Sequence, residues 1–291
     1  MTGPIGAIVV HHRSYETVGH VVIDLIAQGI GVTDIVVVDN SVEDTAESRL
    51  HAAIPEGVAV LFTRNGGYGA AVNQGVRALQ RKKQYEFLLI ATHEVRLGTG
   101  SVLALERALV GDPRVGAAGP TLLTTKGGRE EVWSTGGSLT RWARVPRHHD
   151  HRTDPDELLS RPQHEAVPRQ WLDGAFVMYR TSLLSTLLIN EIFFLYVEEV
   201  DLHTRIRRRG FDVVWVPGAS AHQTSNGTPP FYLGRNLVIL HRLNRDYIAI
   251  VFVPFVALRA SLPQALRQRS VRPILQAARG IVRGLSDRLE R

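Results

Sequence analysis

The chain has no cysteine among its 291 residues. Disulfide bonds and thiolate metal sites are therefore excluded, and a reducing, cytoplasmic location is expected. No uninterrupted run of about eighteen apolar residues occurs, so the sequence predicts no membrane-spanning helix. The opening segment, MTGPIGAIVVHHRS, lacks a basic n-region and a small-residue cleavage site. It predicts a first strand instead of a signal peptide.

A large excess of one charge sign is also missing. Lysine and arginine total 34 against 28 acids, for a net charge of +6, and 44% of residues are apolar. This balance suits anionic ligands such as nucleotide diphosphates, or an anionic membrane surface. No basic stripe interleaved with aromatic residues is present, so we expect no nucleic-acid partner. The length suffices for one large domain, alone or with an appendage.

The first third of the chain alternates apolar strands with helices. Continuous apolar strands are predicted at 5–10, 34–38, 58–63 and 85–91, and 15–28 is an amphipathic helix. This alternation is typical of a parallel sheet covered by helices on both faces. In such sheets ligands bind beyond the carboxyl ends of the strands.

Three motifs stand at these predicted strand ends, namely VVVDNSVEDT at 36–45, NGGYGAAVNQG at 65–75 and THEV at 92–95. The small residues of the second motif let the backbone approach a phosphate or a sugar. A dinucleotide-binding fingerprint is the rival interpretation, but the third glycine is misplaced and the motif does not follow the first strand. Asp39 in the first motif is either a ligand-binding group or an N-cap.

A cluster of acids follows an aromatic run later in the chain. The run FFLY at 193–196 leads into Glu198, Glu199 and Asp201 at the start of a predicted helix, and a strand at 211–216 follows. Carboxylates held between a buried strand and a helix suit acid–base chemistry in a cleft. For any single acid the alternative is a favourable interaction with the helix dipole.

Together with WLDGA at 171–175 and YLGRN at 232–236, these motifs resemble, in order and spacing, the family 2 inverting glycosyltransferases, particularly their rhamnosyltransferase-like branch. The resemblance extends over roughly residues 5 to 240. It implies an α/β, GT-A nucleotide-diphospho-sugar transferase fold with a Rossmann-like, mostly parallel sheet flanked by helices.

The same resemblance implies a division of the chain. Residues 1–240 would form the GT-A domain, with its nucleotide-binding half at 1–120 and its acceptor half at 121–240. Residues 241–291 would form a C-terminal helical extension.

The resemblance also implies roles for individual residues in transfer of a sugar from a nucleotide-diphosphate donor by single displacement. Glu199 would be the general base, with Glu198 and Asp201 beside it. The implied donor-binding residues are His12, Asp39, Asn65, Gly67, Asn73 and Arg235. The implied acceptor or sugar pocket contains Trp171, Asp173 and Gly174. Asp173 is otherwise a turn residue, and Arg235 is otherwise a helix-surface arginine in an ion pair.

Metal binding is implied by the motif at 92–95. The family places a carboxylate there to hold Mg²⁺ or Mn²⁺ against the donor diphosphate. Glu94 stands at that position, His222, which is expected in a loop, would complete the site, and His93 is either a further ligand or a loop histidine. A divalent cation is therefore the expected cofactor.

Two departures from the family pattern keep other functions open. Glu94 and Glu199 each stand where the family usually has aspartate. A non-catalytic glycosyltransferase-like binding or accessory protein is one alternative. A nicotinamide-dependent enzyme with an ordinary dinucleotide fold is the other, and the misplaced glycines argue against it.

Two stretches outside the motifs also call for an interpretation. Residues 121–170 show little regular pattern, and HHDH at 148–151 predicts a solvated loop in preference to a metal site. Residues 271–289 form a basic amphipathic helix. It could lie on the inner face of an anionic membrane, pair with a second subunit, or pack on its own domain, and Gly280 and Gly284 favour packing.

The partners predicted from the sequence are a nucleotide-diphosphate sugar and an acceptor. UDP, dTDP and GDP remain open as the nucleotide. The acceptor is a glycan, a lipid-linked glycan or a small molecule.

Overall fold

The computed structural model describes residues 3–161, 165–224 and 228–289. These residues form twelve strands: β1 (Ile5–His11), β2 (Ile35–Asp39), β3 (Ala59–Phe62), β4 (Phe87–Thr92), β5 (Arg96–Leu97), β6 (Val115–Lys126), β7 (Arg129–Ser134), β8 (Gly137–Leu139), β9 (Pro146–His148), β10 (Val167–Arg169), β11 (Phe176–Arg180) and β12 (Asp212–His222).

They also form eleven α-helices: α1 (Tyr15–Ala27), α2 (Ala46–Ala53), α3 (Tyr68–Lys82), α4 (Ser101–Gly111), α5 (Pro155–Ser160), α6 (Thr181–Thr186), α7 (Glu198–Arg208), α8 (Pro230–Asn244), α9 (Tyr247–Ile250), α10 (Val253–Gln268) and α11 (Arg272–Ser286).

One long sheet runs through the domain in the order β10-β12-β6-β11-β4-β1-β2-β3. The strands β3, β2, β1 and β4 are mutually parallel, as the sequence predicts for the first half. In the second half β11 lies antiparallel to both β4 and β6, while β6 and β12 are parallel to each other. The predicted α/β fold with helices on both faces and a helical C-terminus is confirmed.

Alternating side chains of β1 supply both faces of the sheet. Ala7 and Val9 join the core under α1 and α4, whereas Ile8 and Val10 join the core under α3. Because neighbouring side chains of a strand point to opposite faces, a continuously apolar strand is stable only between two helix layers. The apolar runs of β1, β2 and β4 therefore explain the three-layer architecture.

The strand register brings the sequence motifs to one edge of the sheet. His11 at the end of β1 pairs with Asp39 at the end of β2, and Val10 pairs with Thr92 at the end of β4. Because β11 is antiparallel to β4, its beginning lies at the same edge, and the Thr92 amide donates to the carbonyl of Ala175 over 2.9 Å. Residues from distant parts of the chain thus meet at the carboxyl ends of the parallel strands.

Two predictions for the second half of the chain are wrong. Residues 121–170, for which the sequence indicated little regular structure, contain the end of β6, the strands β7 to β10, and α5. His222 ends β12 instead of lying in a loop. Pro217 and Gly218 hide the continuity of β12 in the sequence, and its register against β6 shifts between Trp215 and Ser220.

The last helix packs on the domain, as its glycines predict. A Cβ at Gly280 would collide with the Phe231 carbonyl, and one at Gly284 with the Arg235 carbonyl, so α11 lies directly against α8. The proposed division at residue 240 falls inside α8, which continues to Asn244.

One segment meets the length and composition requirements of a helix that could span a membrane, which the sequence did not predict. Residues Tyr247–Gln268 are long and apolar enough to do so by length and composition, with a mean hydropathy of 1.7 in the most apolar window, although only 28% of that window is buried. The prediction required an unbroken apolar run, whereas this segment contains Pro254 and Arg259 and stays apolar on average.

Candidate active site

A cavity of about 670 Å³ opens at the carboxyl edge of the parallel strands. Its walls come from the ends of β1, β2 and β4, the segment before β11, the loop before α7, and one side of α8. Ten of the residues predicted from sequence line it: His12, Asn65, Gly67, His93, Glu94, Trp171, Asp173, Gly174, Glu198 and Glu199. Five do not: Asp39, Asn73, Asp201, His222 and Arg235.

Asp39 is buried behind the cavity wall. Its Oδ1 lies 2.7 Å from His11 Nδ1 and accepts hydrogen bonds from the amide and hydroxyl of Ser41. Burial raises the pKa of Asp39, but these partners outweigh it and leave a net lowering. The next residue, Asn40, lines the cavity with His12, and their side chains lie 3.0 Å apart. The sequence motif did not single out Asn40, although it follows the predicted strand end.

Gly67 is the N-cap of α3 and has a φ of 92°, which favours glycine. Its amide donates to Asn65 Oδ1 over 3.1 Å, and a Cβ would collide with the Phe194 carbonyl. The neighbouring Tyr68 amide donates to that carbonyl over 2.7 Å. The absence of a side chain therefore brings the 65–68 turn against the loop that precedes α7.

Asn73 supports this arrangement from inside the protein. Its Nδ2 donates to the Ile189 carbonyl over 2.8 Å, and its Oδ1 accepts from the Ile189 amide over 2.9 Å. The residue is buried and away from the cavity. In this structure it ties α3 to the segment before α7.

The loop at 193–197 has unusual backbone geometry. Phe194, Tyr196 and Val197 all have positive φ, at 65°, 70° and 76°. Such a conformation is costly for aromatic and β-branched residues and persists only where the surroundings enforce it. All three residues line the cavity.

Asn236 on α8 supplies much of that enforcement. Its fully buried amide Nδ2 donates to the carbonyls of Phe193, Leu195 and Tyr196 over 3.1, 2.7 and 2.8 Å. Its neighbour Arg235 also donates to the Phe193 carbonyl, but the Arg235 guanidinium otherwise pairs with Asp287, with Nη2 2.8 Å from Oδ2. The YLGRN motif therefore positions the loop. Arg235 makes the ion pair that was expected if it does not bind the donor.

Glu198 and Glu199 begin α7 directly after this loop and both line the cavity. Burial raises the pKa of Glu198, and its Oε2 is buried without a hydrogen-bond partner among the described residues. Burial and the charges of Glu198 and Asp173 raise the pKa of Glu199. A carboxylate with a raised pKa is a stronger base near neutral pH than an ordinary one.

The third acid of the cluster has a different environment. Asp201 pairs with Arg205 one turn later on α7, with Oδ2 2.8 Å from Nε. It does not line the cavity. Only two of the three clustered acids therefore meet in the cavity.

Another part of the cavity wall carries an aromatic cluster around Asp173. The ring of His148 lies 5.2 Å from that of Trp133 and 4.9 Å from that of Trp171, in both cases edge to face. Trp133 Nε1 donates to Asp173 Oδ1 over 3.3 Å. His148 is half-buried and lines the cavity, so the solvated loop predicted at 148–151 is wrong for this residue. Pairing of β8 with β9, which the sequence pattern did not reveal, places His148 there.

The described residues contain no group of three His, Cys, Asp or Glu side chains that could hold a metal ion by themselves. Glu94 lines the cavity beside His93, accepts a hydrogen bond from Thr224 Oγ1 over 2.9 Å, and has a pKa that burial raises. His222 does not join them, because its Nε2 lies 2.9 Å from Thr125 Oγ1 instead. A cation here would need most of its ligands from a bound molecule and from water.

The charges that line the cavity favour a cation that enters together with a bound molecule. Its described walls include Glu94, Asp173, Glu198 and Glu199 and no lysine or arginine. A nucleotide diphosphate would meet unfavourable electrostatics unless a cation entered with it. Glu94 therefore fits a shared cation site, and the residues around it do not form a self-sufficient one.

No family model matches the chain. It is 28% identical over 186 residues to N-acetylglucosaminyl-diphospho-decaprenol L-rhamnosyltransferase of Mycobacterium tuberculosis, in strains CDC 1551 / Oshkosh and ATCC 25618 / H37Rv. The match covers 56% of this chain and 58% of each relative, so somewhat over half of the relative's length is compared.

Solved structures share the fold. Superposition on GalNAc-T7 with UDP, GalNAc and Mn²⁺ gives a TM-score of 0.62 at 15% identity, covering 82% of this chain and 48% of that one. Superposition on the mannosyltransferase PcManGT from Pyrobaculum calidifontis, in complex with GDP-Man and Mn²⁺, gives 0.57 at 15% identity, covering 99% and 89%. The chain therefore has the GT-A glycosyltransferase fold, and its resemblance to rhamnosyltransferase-like glycosyltransferases is confirmed.

Proposed function

We propose that this protein transfers a sugar from a nucleotide-diphosphate donor to a hydroxyl or amine of an acceptor by an inverting single displacement. The observation that carries the proposal is one shared cavity. The turn at 65–68, Glu94 and the pair Glu198–Glu199 all line it, although they lie far apart in sequence. The proposed donor site, leaving-group site and base would thus share one cleft, which supports the proposal.

Glu199 is the proposed general base. It would accept the acceptor's proton while the acceptor oxygen or nitrogen bonds to the anomeric carbon and the bond to the diphosphate breaks on the opposite face. Burial and the neighbouring carboxylates raise its pKa, which makes proton transfer more favourable near neutral pH. The strained 193–197 loop, held by Asn236, would fix its position.

The donor's nucleoside is assigned to the wall formed by His12, Asn40, Asn65 and Gly67. Glu94 would hold Mg²⁺ or Mn²⁺, with His93 as a further candidate, and the cation would offset the charge of the diphosphate in a cavity whose described walls carry no lysine or arginine. The two solved structures named above contain Mn²⁺ together with UDP or GDP-Man, which supports this assignment.

The acceptor is assigned to the wall of Trp133, His148, Trp171 and Asp173. Indole rings offer apolar faces to sugar rings, and the Asp173 carboxylate can accept hydrogen bonds from hydroxyls. The name of the mycobacterial relative describes a sugar carried on diphospho-decaprenol. We therefore propose a lipid-linked glycan as the acceptor class.

A non-catalytic accessory protein is the second candidate. Glutamate at positions 94 and 199, where the resembled family has aspartate, is the observation that favours it. Such a protein would bind a nucleotide sugar without turning it over.

The first experiment is a thermal-shift titration with UDP, dTDP, GDP and NAD, each with and without Mn²⁺ or Mg²⁺. A ligand present at about 100 times its Kd stabilises the folded state by about 2.7 kcal/mol. We expect one nucleoside diphosphate to raise the Tm only with metal, and Glu94→Ala to abolish that shift. Glu130→Ala, on the exposed part of β7, is the control and should retain it.

Three outcomes distinguish the candidates. A shift with metal and turnover of the matching nucleotide sugar supports the transferase. A shift without turnover supports the accessory protein. A shift with NAD alone, or no shift with any nucleotide, contradicts donor binding.

A further inference from the structure

An apolar stripe lies exposed along the helices that follow α8. Its five members are spaced three or four residues apart, so they share one side of the helical segment: Val251, Phe255, Leu258, Leu262 and Leu266. Phe255 is 70% exposed and Leu266 is 69% exposed. We call these five residues the α10 stripe.

The opposite side of α10 is already used for packing. Val253, Ala257, Ser261 and Ala265 are buried, and the Ser261 hydroxyl donates to the Ala257 carbonyl over 2.7 Å. Small side chains on this side let α10 lie close to its neighbours α8 and α11. α10 therefore packs on the protein through a different face, and the exposed stripe is additional to that face.

The charged residues of the segment that carries the stripe have one sign. Residues 247–286 contain six arginines and no aspartate or glutamate. All six are exposed: Arg259, Arg267, Arg269, Arg272, Arg279 and Arg283. Arg283 pairs with Asp287, just beyond the segment. An exposed apolar stripe on a segment whose charged residues are all arginine matches an anionic lipid surface, where apolar side chains enter the acyl boundary and guanidinium groups meet headgroup phosphates.

We propose that the α10 stripe and its arginines dock the protein onto an anionic membrane surface. A second copy of the chain fits less well, because a two-fold interface through the stripe would bring together two segments whose charged residues are all arginine. A membrane-spanning arrangement fits less well too, because α10 would have to leave its packing against α8 and α11 and take Arg259 and Arg267 with it.

If α10 docks on a membrane, α8 lies between the lipid surface and the cavity. Leu233 and Leu237 of α8 line the cavity. A Cβ on Gly234, between them, would collide with the Ala277 carbonyl of α11, so α11 lies directly behind that wall. Docking through α10 would place the cavity behind α8 and the helices that pack on it, near a membrane in which a lipid-linked acceptor is available; this last consequence alone rests on the proposed function.

The test is flotation of the full-length protein with vesicles of phosphatidylcholine alone, or of phosphatidylcholine with phosphatidylglycerol. We expect binding to the anionic vesicles that weakens with salt, and little binding to the neutral ones. Phe255→Ser with Leu262→Ser should lower the partition coefficient at least about tenfold. Arg259→Gln with Arg267→Gln should lower it by about tenfold or more on anionic vesicles only.

Matched controls alter exposed residues elsewhere. Ile23→Ser, at an exposed apolar position of α1, and Arg81→Gln, at an exposed position of α3, should bind like the unchanged chain. Since vesicles contain no sugar or nucleotide, the result does not depend on glycosyl transfer. A chain that binds nucleotide and fails on vesicles would contradict docking alone, and the reverse result would contradict the proposed function alone.

Three outcomes would overturn the proposal. The first is no binding to anionic vesicles. The second is a dimer in light scattering that Phe255→Ser converts to a monomer, because a second copy would then cover the stripe. The third is resistance to extraction by alkaline carbonate, because the segment would then span the bilayer.

Discussion

His148 Nδ1 lies 3.5 Å from Asp173 Oδ2 across the acceptor wall of the cavity. Burial raises the pKa of Asp173 and lowers that of His148, but their mutual attraction, together with hydrogen bonds from Ser134 and Trp133 to Asp173, outweighs burial and leaves the pKa of Asp173 lowered and that of His148 raised. The two side chains thus stabilise each other's charged form. Asp173 also contributes to the raised pKa of Glu199, which links this wall to the proposed base.

Replacing His148 should affect both stability and the pH profile. In His148→Ala the Asp173 carboxylate loses its cationic partner, which we expect to cost about 3 kcal/mol in unfolding free energy. The net negative charge beside Glu199 increases, so the pH midpoint of turnover should move upward. Chemical denaturation and a pH–rate profile measure the two effects, with His20→Ala on the exposed side of α1 as the control. An unchanged midpoint would remove His148 from any influence on the base.

Glu199→Gln should abolish transfer while nucleotide binding survives. Glutamine keeps the size of the side chain but cannot accept the acceptor's proton, and loss of a general base typically costs about 10²- to 10⁴-fold in rate. Single-turnover transfer measures the chemistry, and the nucleotide-dependent Tm shift measures donor binding. Full turnover in this variant would exclude Glu199 as the base.

Glu198→Gln should stabilise the protein at alkaline pH. Burial raises the pKa of Glu198 in the folded state above its ordinary value of 4.5. The folded protein therefore keeps a proton that the unfolded chain has released, and the resulting stability is lost as pH rises from about 4.5 through the raised pKa. The variant should gain about 2 kcal/mol at pH 8 and little at pH 4. Glu130→Gln is the exposed control, and an equal gain at both pH values would contradict the burial argument.

Asn236→Ala should loosen the loop that carries the acids. The change removes the Asn236 amide from the carbonyls of Leu195 and Tyr196 and removes one of the donors to the Phe193 carbonyl, which we expect to cost about 3 kcal/mol. Because Asn236 acts through the loop and does not line the cavity, kcat should fall while donor affinity changes little. Asn244→Ala on the same helix is the matched control, since the Asn244 amide donates to the Leu240 carbonyl and not to the loop. Equal losses of stability in both variants would contradict the special role of Asn236.

Several features follow from the sequence alone, because they depend on local chemistry. Apolar runs bounded by polar residues predict β1, β2 and β4, and the glycines at 66 and 67 predict a turn at the carboxyl edge. Motif order supplied the GT-A fold, and ten of the fifteen predicted site residues line one cavity. Strands that alternate with helices form a parallel sheet, and ligands bind at the carboxyl edge of such a sheet. The position of these residues along the chain was therefore enough to predict that they lie in the site.

The tertiary structure decided which side chains reach the cavity. Asp39, Asn73 and Arg235 belong to the predicted motifs, yet each is engaged by an internal partner, namely His11, Ile189 and Asp287. His148 reaches Asp173 only because β8 pairs with β9. A motif specifies residue types at a spacing, whereas side-chain partners depend on long-range pairing that the spacing does not encode. The exposure of the α10 stripe also depends on the tertiary structure. An apolar helix face is buried only where another part of the chain packs against it.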